Sequence, residues 1–88
     1  SKSTSINTPV TGTFSGTISL SSVKFVHVKN TDTSGSDYLL VNVGSMGALI
    51  KLLPGESFSS DVGSTASDST TVAITASGTP DYEYIKGA

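Results

Sequence analysis

Between Val23 and Val43 the chain reads VKFVHVKNTDTSGSDYLLVNV, and its alternation commits the middle of the protein to extended structure. Val23, Phe25, His27 and Lys29 fall on one side of a strand, and Lys24, Val26, Val28 and Asn30 on the other. A period of two rich in β-branched residues is the signature of a strand. The polar stretch NTDTSGSD supplies glycine and short side chains that bond their own backbone and stabilise a reversal. Tyr38 to Val43 is extended again, so the segment is predicted to be a central hairpin. Leu39, Val41 and Val43 then pack with Val26 and Val28, while Tyr38, Leu40 and Asn42 share the opposite face with Phe25 and His27. Both faces of such a hairpin carry large apolar groups, whereas an antiparallel sheet with one wet face alternates cleanly. A partner subunit or the chain's own N-terminal segment is expected to cover the second face.

The same grammar runs through the rest of the chain. Thr13 to Leu20 places Phe14, Gly16, Ile18 and Leu20 on one face and hydroxyl residues on the other, and Ser21 and Ser22 connect it to the hairpin. Gly44 to Gly47 breaks the pattern before Ala48 to Leu53, where Ile50 and Leu52 face one way and Leu49 and Leu53 flank Lys51 on the other. Pro54-Gly55 predicts a type II turn, since proline fixes φ at the first central position and glycine accepts a positive φ at the second. Glu56 to Ser60 is predicted as a short strand with Phe58 inward, 61–69 as a loop, Thr70 to Ala76 as a strand with Val72 and Ile74 inward, and Tyr82 to Lys86 as the closing strand. These segments, about seven strands of roughly 5 to 8 residues with turn signals between them, predict an all-β fold: a single small antiparallel β-sandwich, jelly-roll-like, or a short barrel. Residues 1–11, polar apart from Ile6 and Val10 and interrupted by Pro9, read as an N-terminal arm or an edge strand, and residues 12–88 as the sandwich domain.

Composition narrows the function classes. A chain of 88 residues forms one domain and buries only about 60 to 65% of the surface it exposes unfolded. Serine and threonine make up about a third of it, and there is no cysteine to add a disulfide or a thiolate metal site. Five lysines, no arginine and a net charge of −2 argue against nucleic-acid binding, which needs a basic patch to displace counterions from phosphate. No apolar run approaches the roughly 20 residues that span a bilayer. SKSTSINTPVTGTFSG has neither the charged start nor the apolar stretch of an export signal, and a first serine fits removal of an initiator methionine.

Candidate chemistry is sparse. His27 is the only histidine, and one imidazole makes neither a multi-histidine metal site nor, without a recognisable nucleophile motif, a catalytic pair. Asp32 and Asp37 in DTSGSD could offer oxygens to calcium, but the spacing matches no complete calcium loop and no glutamate closes it, so a turn is the better reading. Asp61 and Asp68 read as solvated charges. Glu56 and Glu83 would have to flank a cleft to act as a glycosidase pair, and the glycines lack the lysine of a phosphate-binding loop. Phe14, Phe25, Phe58, Tyr38, Tyr82 and Tyr84 could form a stacking platform, although core packing and subunit contact explain them with fewer assumptions. The expectation is a protein without catalytic residues, cofactor or metal.

Taken in order, VKFVHVKNTDTSGSDYLLVNV, IKLLPGESF and VAITASGTPDYEYI resemble small virion structural proteins of tailed bacteriophages. In that family a strand ending in a Lys-Asn-Thr/Asp turn leads to a second strand, followed by a Leu-x-Pro-Gly-Glu-x-Phe turn and an Ala-rich strand ending in a Glu-Tyr pair. The likeness spans Val23 to Ile85. It implies a capsid decoration or cement protein, made in the host cytoplasm and located on the capsid surface, with the major capsid protein or other virion proteins as partners and a homo-oligomeric state. The expected contact residues are Ile6, Val10, Phe25, Tyr38, Leu40, Leu49 and Leu53. Two alternatives stay open: a tail, head-tail connector or fibre-associated module, and a carbohydrate-binding sandwich displaying an exposed aromatic pair.

Overall fold

A computed structural model of the protein describes residues 9–44, 48–62 and 70–87. They form eight strands: β1 (Val10–Thr13), β2 (Ile18–Val23), β3 (Phe25–Asn30), β4 (Tyr38–Val43), β5 (Ala48–Leu52), β6 (Ser57–Asp61), β7 (Thr70–Ser77) and β8 (Asp81–Gly87). The pairing is nested. β4 pairs with β5, β3 with β6, β2 with β7 and β1 with β8, all antiparallel, as though the chain were one long hairpin with its tip between β4 and β5. Rolling that hairpin brings β3 against β8 and β4 against β7. The result is two four-stranded sheets, sheet A in the order β1-β8-β3-β6 and sheet B in the order β2-β7-β4-β5. This is the winding of an eight-stranded jelly roll, and it is a sandwich of two open sheets rather than a closed barrel.

The core lies between the sheets and is built by the alternation. Val26 and Val28 of β3 face inward from sheet A, and Leu39, Val41 and Val43 of β4, Val72 and Ile74 of β7, and Leu20 of β2 from sheet B. Phe14, Val23, Leu52 and Val62 complete the buried set, with Phe58, Tyr82 and Tyr84 packed at its margin. Tyr82 meets Phe14 edge to face, with ring centroids 5.8 Å apart, and stacks on Tyr84 at 6.2 Å. Such pairs add to area burial alone.

Three sequence expectations are corrected. Val23 to Val43 is not a hairpin, because β3 belongs to sheet A and β4 to sheet B; the polar loop between them arches from one sheet to the other. Thr13 to Leu20 is not one strand. It is divided at 14–17 between β1 in sheet A and β2 in sheet B, and Gly16 at φ 77° supports the change of direction. The described residues hold eight strands, in keeping with the about seven expected; Val10 and Thr11, placed with the N-terminal segment on sequence, start β1 and pair with Tyr84 and Glu83. Ser21 and Ser22 lie inside β2, at a register shift between Leu20 and Val23 where Ser22 adopts φ 57°. That bulge turns the chain from sheet B into sheet A, with Lys24 alone between β2 and β3.

One polar residue ties the loops at one end of the sandwich together. Asn30, fully buried at the end of β3, donates from its Nδ2 to the carbonyls of Asp37 and Leu52, both at 3.1 Å. Its Oδ1 accepts from the Asp32 N–H at 3.1 Å. Its main-chain N–H donates to the Glu56 carbonyl at 3.0 Å and its carbonyl accepts from Gly55 N–H at 2.9 Å. The expected type II turn is present: the Glu56 N–H donates to the Leu53 carbonyl, and Gly55 has φ 88°. Glu56 Oε1 in turn accepts from the Leu53 N–H at 2.8 Å.

Candidate functional site

The jelly-roll winding leaves two outer faces, one on each sheet, and an end formed by loops. On sheet B, β5 is an edge strand. Residues that alternate with the buried Leu39, Val41 and Val43 point outward, so Tyr38, Leu40 and Asn42 of β4 share this face with Leu49 and Lys51 of β5. Leu40 pairs with Lys51, and Leu49 pairs with Asn42. Lys51 Nζ sits 4.3 Å from the centre of the Tyr38 ring, a cation-π contact. Leu49 is 65% exposed and Leu53, just beyond the strand, 43%. β7 adds Thr71, Ala73, Thr75 and Ser77 to the face, so the apolar side chains stand on a bed of short ones.

On sheet A the outward residues are Phe25, His27 and Lys29 of β3, Glu83 and Ile85 of β8, and Ser57, Ser59 and Asp61 of β6. A polar row crosses three neighbouring strands here. His27 Nδ1 lies 2.6 Å from Ser59 Oγ, and its Nε2 lies 3.3 Å from Glu83 Oε2. In the neutral ring, the carboxylate beside Nε2 favours the tautomer protonated there, which leaves Nδ1 to accept from the Ser59 hydroxyl.

At the loop end, the carboxylates are spent on protein donors. Asp32 Oδ1 accepts from the Asp81 N–H at 2.9 Å, Asp37 Oδ2 from the Thr79 N–H at 3.3 Å, and Asp81 Oδ1 from the Thr13 hydroxyl at 2.9 Å. Asp32 and Asp37 therefore staple the β3–β4 arch to the β7–β8 turn, and their pairing within one loop reflects that structural task. Among the described residues no cluster of three or more histidine, cysteine, aspartate or glutamate side chains is arranged to hold a metal ion. Glu56 caps its own turn while Glu83 lies on the outer face of sheet A, so the two do not share a cleft.

The expected contact residues are thus divided. Tyr38, Leu40 and Leu49 are together on the outer face of sheet B, with Leu53 adjoining. Phe25 is on the outer face of sheet A, opposite Gly87, with the whole sandwich between it and Leu40. Val10, 42% exposed, is on edge strand β1, and Ile6 lies outside the described residues. The outward aromatics Tyr38 and Phe25 are on opposite faces, and the stacked pair Tyr82 and Tyr84 packs against the core, so no described face carries the aromatic pair that a sugar platform needs. Sequence reasoning missed Ser59 as a neighbour of His27. The two are 32 positions apart in the chain, and only the pairing of β3 with β6 joins them. No family model, curated protein or solved structure matches the chain.

Proposed function

We propose that this chain is a structural component of a virion, a capsid decoration or cement protein whose task there is attachment through its outer faces and edges. The observation that carries the reading is the apolar group Leu40, Leu49 and Leu53 around Lys51 on sheet B, bordering the edge of β5 that no other described strand covers. Isolated exposed leucines are ordinary on any surface, but a group of them beside an unpaired strand edge is a surface suited to another chain. Lys51 bent over Tyr38 leaves the leucines as the prominent groups and still opposes indiscriminate strand addition. Two further points support the reading: capsid subunits are among the proteins that use jelly rolls, and a repeating lattice converts modest contacts into firm attachment. Fold alone does not assign function, so weight rests on the surface.

Particle binding tests it. The purified chain is expected to form an oligomer by light scattering and to co-sediment with tailed-phage capsids, and Leu49→Asp with Leu53→Asp is expected to abolish both while leaving the circular dichroism unchanged. Any truncation should stop at Thr8, because a cut through Thr11 removes half of β1 along with the arm. A monomer that ignores capsids turns the assignment toward the tail, connector or fibre module.

A further inference from the structure

We propose that Ser59 is a nucleophile activated by His27 and oriented by Glu83, able to take an acyl group from a reactive ester. The parts are on the outer face of sheet A. Ser59 is exposed on edge strand β6, its Oγ is 2.6 Å from His27 Nδ1, and the opposite ring nitrogen is 3.3 Å from the Glu83 carboxylate. A hydroxyl is a weak nucleophile until an adjacent base accepts its proton, and the base is effective when a third group fixes its tautomer. Here the hydrogen-bonded ladders hold the three side chains in that order: His27 pairs directly with Ser59, and Glu83 pairs with Lys29, the next outward residue of β3.

The ladder also supplies a donor. Asn30 N–H donates to the Glu56 carbonyl and Val62 N–H to the Lys24 carbonyl, so the even-numbered residues of β3 bond toward β6. Phe58 and Ser60, their partners, turn their main chain to β3. By the alternation of antiparallel pairs, the Ser59 N–H is directed to the edge of sheet A that no other described strand covers, on the side of Ser59 away from the imidazole, where it can donate to the oxyanion of an attacked carbonyl.

In the reaction, the Ser59 hydroxyl proton passes to His27 Nδ1 as Oγ bonds to the ester carbonyl carbon. The tetrahedral intermediate then expels the alkoxide or phenolate, which takes that proton from His27 and leaves acyl-Ser59. Water attacks the acyl group by the same proton route and releases the acid. The substrate class is small, activated esters, since a strand face on which Ser57 and Asp61 flank Ser59 gives a bulky leaving group little to bind. One oxyanion donor rather than two makes slow turnover the expectation, because removing such a donor lowers the rate of an efficient enzyme by about 100- to 1,000-fold. Acylation of Ser59 should therefore be easier to see than turnover.

The test is labelling of the whole chain with p-nitrophenyl acetate and, separately, with an alkyl fluorophosphonate, followed by intact and peptide mass spectrometry. The expected result is one adduct per chain on Ser59, absent in Ser59→Ala, slowed by about 100-fold or more in His27→Gln, the lower range for loss of a positioned base, and slowed to a lesser degree in Glu83→Gln. All three positions are on an outer face, and unchanged circular dichroism of the variants separates loss of reactivity from loss of fold. No adduct on wild-type Ser59, adducts scattered over other serines and lysines, or a His27→Gln variant labelled as fast as wild type overturns the proposal and leaves the row as a purely structural tie across β6, β3 and β8.

Discussion

Replacing Asn30 by alanine is expected to destabilise the protein by about 2 to 4 kcal/mol, since each buried group that loses its partner costs about 1 to 3 kcal/mol. Three groups lose theirs: the Leu52 carbonyl, whose bond is buried, at full cost, and the part-buried Asp37 carbonyl and Asp32 N–H at a fraction of it, because water can reach them. The stability of a domain of this size is about 4 to 13 kcal/mol, at roughly 0.05 to 0.15 kcal/mol per residue, so the loss is a large share of the total. Urea unfolding would read it as a fall in the midpoint of about 2 to 4 M, for a slope of about 1 kcal/mol per M. Asn30→Leu should not rescue the loss, because an apolar side chain of similar size leaves the same three groups unpaired. Asn30→Asp should be no better, since it removes both Nδ2 donors and buries a carboxylate near Asp32 and Asp37. A midpoint unchanged in Asn30→Ala would show that the loops at this end are held by something other than this side chain.

Gly78→Ala is expected to cost about 2 to 3 kcal/mol, of which about 1 to 2 kcal/mol is the left-handed backbone conformation itself. Gly78 has φ 74°, and a Cβ at this position would collide with the carboxyl group of Asp37. The carboxylate would have to move off the Thr79 N–H from which it accepts, which loosens the arch between β3 and β4. Gly16→Ala is the control: Gly16 has φ 77°, and a Cβ there would meet nothing within 4 Å, so it reports backbone strain alone. Thermal unfolding of the two variants should differ, with Gly78→Ala lower, and adding Asp37→Ala to Gly78→Ala should shrink that difference. Equal losses at the two glycines would show that Asp37 yields its position without cost.

Much of the fold was legible because the inward and outward sides of a strand are a local property. The valines of β3 and the Leu39, Val41 and Val43 set of β4 alternate with outward residues, and each landed inside as its parity required. The LPGE turn was legible for the same kind of reason, since proline and glycine impose their φ values wherever the chain reverses. The buried role of Asn30 was not. It sits at the start of a polar stretch that reads as any exposed turn, and its acceptors at Asp37 and Leu52 are set by how the arch and the end of β5 converge.

The contact surface shows the same division. Tyr38, Leu40 and Phe25 have the parity of outward residues in the sequence, and they do face outward. Placing them on one surface required β3 and β4 to pair with each other, and a polar loop such as NTDTSGSD serves equally well as a tight reversal or as an arch between sheets. The sequence by itself determined the inward and outward sides of β3, β4 and β7, the Pro54-Gly55 turn, and that the fold is all β, because pleating and turn chemistry act over a few neighbouring residues. Only the tertiary structure decided that β3 pairs with β6 and β8 rather than β4, that Phe25 and Leu40 lie on opposite faces, and that Ser59 and Glu83 flank His27. Those outcomes depend on strand pairing between distant segments, where backbone hydrogen bonds are alike for every residue and burial of the whole apolar set selects the partners.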